Sequence, residues 1–180
     1  MKQILYILVF ALSLSGIYTS CKKDSLAAMR DDEVQALDKY VKDHDLAAYK
    51  DVSGIYFKST ERSNDTTLIR PGFKVMLQYN IFRIDSVKVF STEDKNGYTF
   101  SEDPFYVDVS NTVINQSYVQ QIAGMHLGLK KMHIGDRAFM VIPSELAFKA
   151  VDYSLSLNIP RFTTLLVYVY AKKGYPSGTY

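Results

Sequence analysis

The spacing of apolar residues predicts a helix between Ser117 and Met132. Apolar side chains recur there every three or four residues, which places them on one face of a helix. They are Val119, Ile122, Met125, Leu129 and Met132. Gly124 and Gly128 lie in the same helix, and each weakens it by about 1 kcal/mol relative to alanine. Such a cost predicts close packing of the helix against a sheet or a ligand.

The residues after this helix predict a turn, a buried strand and a second short helix. Gly135 indicates the turn, and the apolar run from Arg137 to Ile142 indicates the strand. Pro143 ends the strand because proline has no N–H to donate to a neighbouring strand. Glu145 indicates a helical turn directly afterwards, since acidic side chains are favoured in the first turn of a helix.

Strand patterns fill most of the remaining chain. Alternating or continuous apolar residues predict strands at 55–62, 73–84, 87–90, 104–109 and 161–172. Asn96 and Gly97 mark a loop or hairpin tip within 91–101, and 151–158 is predicted to be a loop. One main helix among these strands indicates an α+β fold, in which an antiparallel sheet wraps around the helix.

The chain divides into four segments: a signal at 1–20, a tether and N-terminal helix at 21–52, a folded domain at 53–173, and a flexible tail at 174–180. The N-terminal helix is predicted over 25–50 from an apolar stripe. The stripe consists of Met29, Val34, Leu37, Tyr40 and Val41. Whether this helix docks on the domain or dimerises is left open by the pattern.

Residues 1–21 are typical of a bacterial lipoprotein signal. A basic Lys2 precedes an apolar run at 4–14 that is too short to span a membrane comfortably. Small residues then lead to Cys21, in a pattern that resembles a lipobox, where the cysteine becomes the lipidated first residue. The alternative is an ordinary cleaved signal followed by a chance cysteine.

Composition argues against several classes of function. The formal net charge is +2 and no basic cluster is evident, so we expect no nucleic-acid partner. His126 and His133 lack a third ligand nearby in the sequence, and Glu102 and Asp103 are adjacent and point to different sides. We therefore expect no metal, no cofactor and no acid–base chemistry at these residues.

The order of motifs resembles that of the FKBP-type peptidyl-prolyl isomerases. That family carries a helix opening with Val-Ile-x-Gly-Trp, a Met-x-x-Gly turn, a strand, and then Ile-Pro-x-x-Leu-Ala-Tyr-Gly. The corresponding residues here are 121–125, 132–135 and 142–149. The resemblance covers about 71–172 and implies an FKBP-like fold, with a curved antiparallel sheet around one main helix.

The resemblance also implies a shallow apolar cleft that holds a prolyl ring. By position, the cleft residues are Tyr79, Phe90, Phe105, Ile122, Met125, Phe148, Ile159 and Val167. Four positions depart from the family pattern: Met125 replaces Trp, Ser91 replaces Asp, Phe148 replaces Tyr, and Val167 replaces Phe. A methionine makes the floor of the cleft softer than a tryptophan does.

These features predict a lipid-anchored isomerase or folding helper in the envelope of a Gram-negative bacterium, in the outer membrane. Its substrates would be X–Pro bonds of peptides or exported proteins, and its membrane anchor would be Cys21. A second hypothesis is an FKBP-fold lipoprotein that binds a peptide or envelope partner with little or no catalysis. A third, suggested by the anchor and the tyrosines, is an accessory lipoprotein for glycan uptake.

Overall fold

Six antiparallel strands form the sheet within the described residues. The computed structural model describes residues 25–94, 96–97, 99–108 and 117–176. The strands are β1 (Tyr56–Glu61), β2 (Lys74–Arg83), β3 (Lys88–Ser91), β4 (Asp103–Tyr106), β5 (Arg137–Ile142) and β6 (Leu165–Tyr175). They form one curved sheet in the order β1-β5-β6-β2-β3, and β4 pairs with another part of β2. The predicted α+β class is confirmed.

Alternation along the central strands gives the sheet two apolar faces. In β2 the buried side chains are Val75, Leu77, Tyr79 and Ile81, at period two. Together with alternate residues of β5 and β6 they form the main core, on the face that we call the inner face. The outer face of β5 and β6 carries a second apolar cluster that includes Phe139, Val141 and Leu166.

The main helix packs on the inner face, but it is shorter than the sequence predicts. The stretch begins with a 3₁₀ turn at Tyr118–Gln121, and the α-helix proper, α2, runs from Ala123 to Leu129. Ile122 between them is extended, with φ −78° and ψ 101°. The prediction of a continuous helix to Met132 is therefore wrong, although all five apolar residues of the predicted face are buried.

The N-terminal helix, α1 (Leu26–Asp43), docks on the outer face of the sheet. Val41 is buried there, and Leu37 and Tyr40 pack against the same cluster. Ser25 caps the helix by accepting a hydrogen bond from the N–H of Ala28. Val34, which belongs to the predicted stripe, is instead exposed. The sheet is thus covered by α2 on one face and by α1 on the other.

The last strand is displaced from its predicted position. It starts at Leu165 because residues 161–162 form a turn, in which Phe162 has a positive φ of 53° and after which the Thr163 hydroxyl donates to the carbonyl of Pro160. It ends at Tyr175, which pairs with Lys74 of β2, so the predicted flexible tail is wrong for residues 174 and 175. Pro176 follows the strand and is exposed, and residues 177–180 lie outside the described part of the chain.

The other boundaries agree more closely. Strand β5 has the predicted bounds, and β1 to β4 begin and end within one to three residues of them. The predicted loop 151–158 contains a four-residue helix, α3 (Ser154–Leu157). The predicted signal and Cys21 lie outside the described residues. Among those that are described, no helix is long and apolar enough to span a membrane.

Candidate functional site

The eight residues predicted to line the cleft converge on the inner face of the sheet. Seven of them belong to the main buried cluster, and Phe90 is half-buried and packs against it. They come from β2, β3, β4, β6, the start of α2 and the two loops on either side of α3. Residues about 90 positions apart in the chain therefore form one apolar cluster.

The floor of this cluster is the start of α2. Ile122 and Met125 are fully buried there. The helix can approach β5 closely because of its two glycines: a Cβ added at Gly124 would lie 2.4 Å from Ile142 Cγ2, and one at Gly128 would lie 2.0 Å from Met140 Sδ. Contact with the sheet thus accounts for both glycines.

One wall of the cluster is aromatic. The Phe148 ring lies 6.4 Å from the Phe90 ring and 5.4 Å from the Tyr153 ring, and Tyr153 in turn lies 5.5 Å from Tyr118. Phe90 and Tyr153 are half-buried, and Tyr118 is 39% exposed, so this row of rings reaches the surface. We call these four residues the aromatic rim. Tyr118 and Tyr153 were not predicted, because they occur in a short turn and a loop without periodicity.

A polar pair lies at the edge of the cluster. The hydroxyl of Tyr79 donates to the Asp103 carboxylate, with 2.6 Å between Oη and Oδ2. Burial of the Tyr79 hydroxyl is the main reason why its pKa lies far above the ordinary value, and the hydrogen bond to Asp103 raises the pKa further. The hydroxyl therefore stays protonated at neutral pH and keeps its lone pairs as an acceptor.

Next to the floor, His126 is fixed by two backbone groups. Its Nδ1 accepts from the N–H of Asp108 at 3.0 Å, so Nε2 carries the proton and donates to the Gln120 carbonyl at 2.8 Å. Its ring also packs against Phe105, at 4.7 Å between centroids. His126 thus has a structural role. Within the described residues, no group of three or more His, Cys, Asp or Glu side chains is placed to hold a metal ion.

Two cavities open on the outer face. One of about 270 Å³ lies over Gln78, Asn80 and Tyr170, and another of about 470 Å³ lies between α1 and the sheet, beside Tyr40 and Phe82. Tyr168, which is about half exposed, borders both. These cavities are on the opposite side of the sheet from the aromatic rim.

Solved structures share this fold, although sequence comparisons do not reveal it. No family sequence model and no curated protein sequence matches the chain. FkpA from Escherichia coli matches 98% of this chain and 72% of its own, with a TM-score of 0.65 and 17% identity. The N-terminal domain of FKBP42 from Arabidopsis thaliana matches 67% of this chain and 86% of its own, with a TM-score of 0.55 and 16% identity.

The chain has an FKBP-like fold. AtFKBP13 agrees, since 71% of this chain matches 98% of that structure with a TM-score of 0.56 and 17% identity. At identities this low, the likeness establishes the fold alone.

Three of the four departures from the family pattern, at Ser91, Met125 and Val167, can be located in this FKBP-like fold. Ser91 is exposed, and its hydroxyl donates to Asn80 Oδ1, so it does not face the cluster. The carboxylate that faces Tyr79 belongs to Asp103 on β4 instead. Sequence reasoning missed Asp103 as a partner of Tyr79, since the register of β2 with β4 could not be known from local patterns. Met125 and Val167 are both fully buried in the cluster.

Proposed function

We propose that this chain is an FKBP-type peptidyl-prolyl cis-trans isomerase that acts on X–Pro bonds of exported proteins. The observation that carries the proposal is the convergence of the eight predicted residues into one apolar cluster, bordered by the aromatic rim. A proline ring is apolar and flat enough to pack against such rings.

The chemistry needs no nucleophile. Rotation about an X–Pro amide is resisted by a barrier of about 18–20 kcal/mol that arises from the double-bond character of C–N. Resonance separates charge in the planar amide, and twisting removes that charge separation. An apolar, water-poor surface therefore favours the twisted amide relative to the planar one, which lowers the barrier.

We assign distinct roles to the residues around the bound peptide. Phe90, Phe148 and Tyr153 present ring faces to the proline, while Ile122 and Met125 support them from below. The Tyr79 hydroxyl is committed as a donor to Asp103, so it can offer only an acceptor to the peptide.

We further propose that the domain is lipid-anchored through Cys21 in the outer membrane of a Gram-negative envelope. The support is the apolar run at 4–14 followed by small residues and Cys21. Two or more acyl chains on one cysteine would give stable anchoring, at about 0.8 kcal/mol for each buried CH₂.

A second candidate is a peptide-binding domain with little catalysis. It is favoured by the complete burial of Ile122 and Met125, and by the absence of a hydroxyl at Phe148. A covered floor leaves the rim for contact with a peptide, and a phenylalanine cannot donate to a peptide carbonyl.

Proton exchange spectroscopy on an X–Pro peptide distinguishes the two. With the chain from Lys22 onward, we expect cis–trans exchange well above the uncatalysed rate, which corresponds to about 10–100 s. Chemical-shift changes of the peptide without faster exchange would support the binding domain. If the peptide shows no shift changes and no acceleration even at high protein concentration, both candidates are ruled out.

A further inference from the structure

The N-terminal helix carries a buried carboxylate at Glu33 that the proposed chemistry does not use. Its Oε1 accepts from the N–H of Ser144 and from the hydroxyl of Thr164, each at 2.8 Å. Its Oε2 accepts from the Ser144 hydroxyl at 2.7 Å and forms an ion pair with Arg30. A buried carboxylate is costly unless it is paired and hydrogen-bonded, and here both oxygens are fully engaged.

Ser144, the hydrogen-bond partner of Glu33, lies four residues before Phe148 of the aromatic rim. It opens a 3₁₀ turn, Ser144–Leu146, directly after Pro143 ends β5. Its carbonyl accepts from the N–H of Ala147 at 2.9 Å and from the N–H of Lys149 at 2.8 Å. These two amides flank Phe148. Ser144 is therefore held by Glu33 on its N–H side and holds both neighbours of Phe148 on its carbonyl side.

We propose that Glu33 is a positioning residue for the cleft, which fixes the Phe148 wall from the opposite face of the sheet through Ser144. This assignment rests on the proposed function of the inner-face cluster. The helix α1 would then be part of the working domain, because it supplies a support that the FKBP-like sheet and α2 do not.

The local backbone gives a reason why such a support is needed. Lys149 has a positive φ of 55°, which costs free energy for a residue with a side chain. Ala147 has φ −118° and ψ −114°, outside the common regions. A segment in these conformations persists when surrounding contacts determine it, and the bonds through Ser144 are such contacts.

Amide hydrogen exchange on the folded protein tests the positioning directly. In Glu33→Ala, we expect the amides of Ala147 and Lys149 to exchange at least about tenfold faster relative to the amide of Val167, as the loss of a hydrogen bond to a charged group implies. Glu33→Gln retains an acceptor for Ser144, so it should restore most of the protection. If the alanine variant does not fold, Glu33→Asp withdraws the carboxylate by one methylene and serves in its place.

The matched control is Leu37→Ala, which loosens the same helix on the same face and takes no part in the hydrogen bonds of Glu33 to Ser144 and Thr164. We expect it to lower global stability without selective exposure of the Ala147 and Lys149 amides. Equal acceleration of these amides in both variants would mean that Glu33 contributes general stability only, and unchanged protection in Glu33→Ala would also overturn the proposal.

The kinetics of isomerisation test whether the positioning by Glu33 matters for function. Glu33→Ala should raise KM for an X–Pro peptide several-fold with a smaller change in kcat, because the wall is displaced while the amide chemistry is unaltered. If the unmodified protein does not accelerate exchange at all, the isomerase proposal fails. The amide exchange data and the peptide affinity of Glu33→Ala still decide whether Glu33 positions the wall.

Discussion

Phe148 is the residue at which the aromatic rim meets the turn that begins at Ser144. Its ring is close to Phe90 and Tyr153, and its two neighbouring amides are bonded to the carbonyl of Ser144. The side chain carries no donor, so a peptide bound at the aromatic rim would receive apolar contact there and no hydrogen bond. The affinity of Phe148 for a bound peptide would therefore lack the contribution of a hydrogen bond from a hydroxyl.

Phe148→Tyr should raise isomerase activity. A hydroxyl that donates to a peptide carbonyl contributes about 0.5–1.5 kcal/mol, which corresponds to an increase of about two- to tenfold in kcat/KM. Exchange spectroscopy on the same X–Pro peptide measures it. Phe100→Tyr, an exposed position elsewhere in the chain, is the matched control and should leave the rate unchanged. An equal or lower rate in Phe148→Tyr would indicate that the peptide does not bind beside Phe148.

Asp136 is a second residue whose environment should have a measurable effect, here on the pH dependence of stability. Its side chain is buried, which by itself raises the pKa, but hydrogen bonds from the N–H groups of Ser63 and His133 outweigh burial and lower it overall. A lowered pKa stabilises the fold above the unfolded value of about 3.9, and this contribution is lost as the pH falls below it.

Asp136→Asn should therefore reduce the dependence of stability on pH. At pH 7 we expect a loss of about 1–3 kcal/mol, since one backbone N–H would face the amide NH₂ and lose its acceptor. Between pH 7 and pH 3 the variant should lose less stability than the unmodified protein, as measured by urea unfolding. Asp38→Asn on the exposed side of α1 is the control. An identical pH profile for Asp136→Asn would show that Asp136 is not bound this way.

At the scale of elements, the packing of α2 against β5 depends on what each glycine faces. Gly124 faces Ile142, whose branched Cβ limits its rotamers, whereas Gly128 faces the flexible side chain of Met140. The same substitution should thus have different effects one helical turn apart.

Gly124→Ala should destabilise the domain, whereas Gly128→Ala should be close to neutral. Alanine gains about 1 kcal/mol in helix propensity at both positions, but overpacking against Ile142 costs about 1–3 kcal/mol. Met140 can move its sulfur away, so the gain and the cost nearly cancel at Gly128. Urea midpoints of the two variants measure the difference. Equal midpoints would contradict the idea that the stiffness of the facing side chain decides the outcome.

The elements also show what the sequence could and could not predict. Burial periodicity identified the inner face of β2 and the apolar face of the helical stretch, because burial repeats locally. It did not reveal the break at Ile122, where the chain turns extended between the 3₁₀ turn and α2. Nor did it find the bond from Glu33 to Ser144 or that from Tyr79 to Asp103, because such partners are distant in sequence and are set by the register of strands and the docking of α1.

At the scale of the whole molecule, the docked helix α1 connects the N-terminal segment to the sheet. It packs on the outer face, and its Glu33 side chain accepts a hydrogen bond from the N–H of Ser144, four residues before Phe148. The five steps of chain from Cys21 to Leu26 span less than about 20 Å even when fully extended. A lipid on Cys21 would therefore keep the FKBP-like domain close to the membrane surface.

We expect Cys21 to carry a covalent lipid. When the full sequence is expressed in a Gram-negative host, we expect it in the outer-membrane fraction with a covalent lipid detectable by labelled palmitate. Cys21→Ser should abolish the label and remove the protein from the outer-membrane fraction, because serine lacks the thiol that would carry the lipid. Ser20→Ala, which keeps a small residue before the cysteine, is the control and should retain the label. A labelled Cys21→Ser protein, or an unlabelled soluble protein with Cys21 intact, would contradict the proposal that the domain is anchored by a lipid on Cys21.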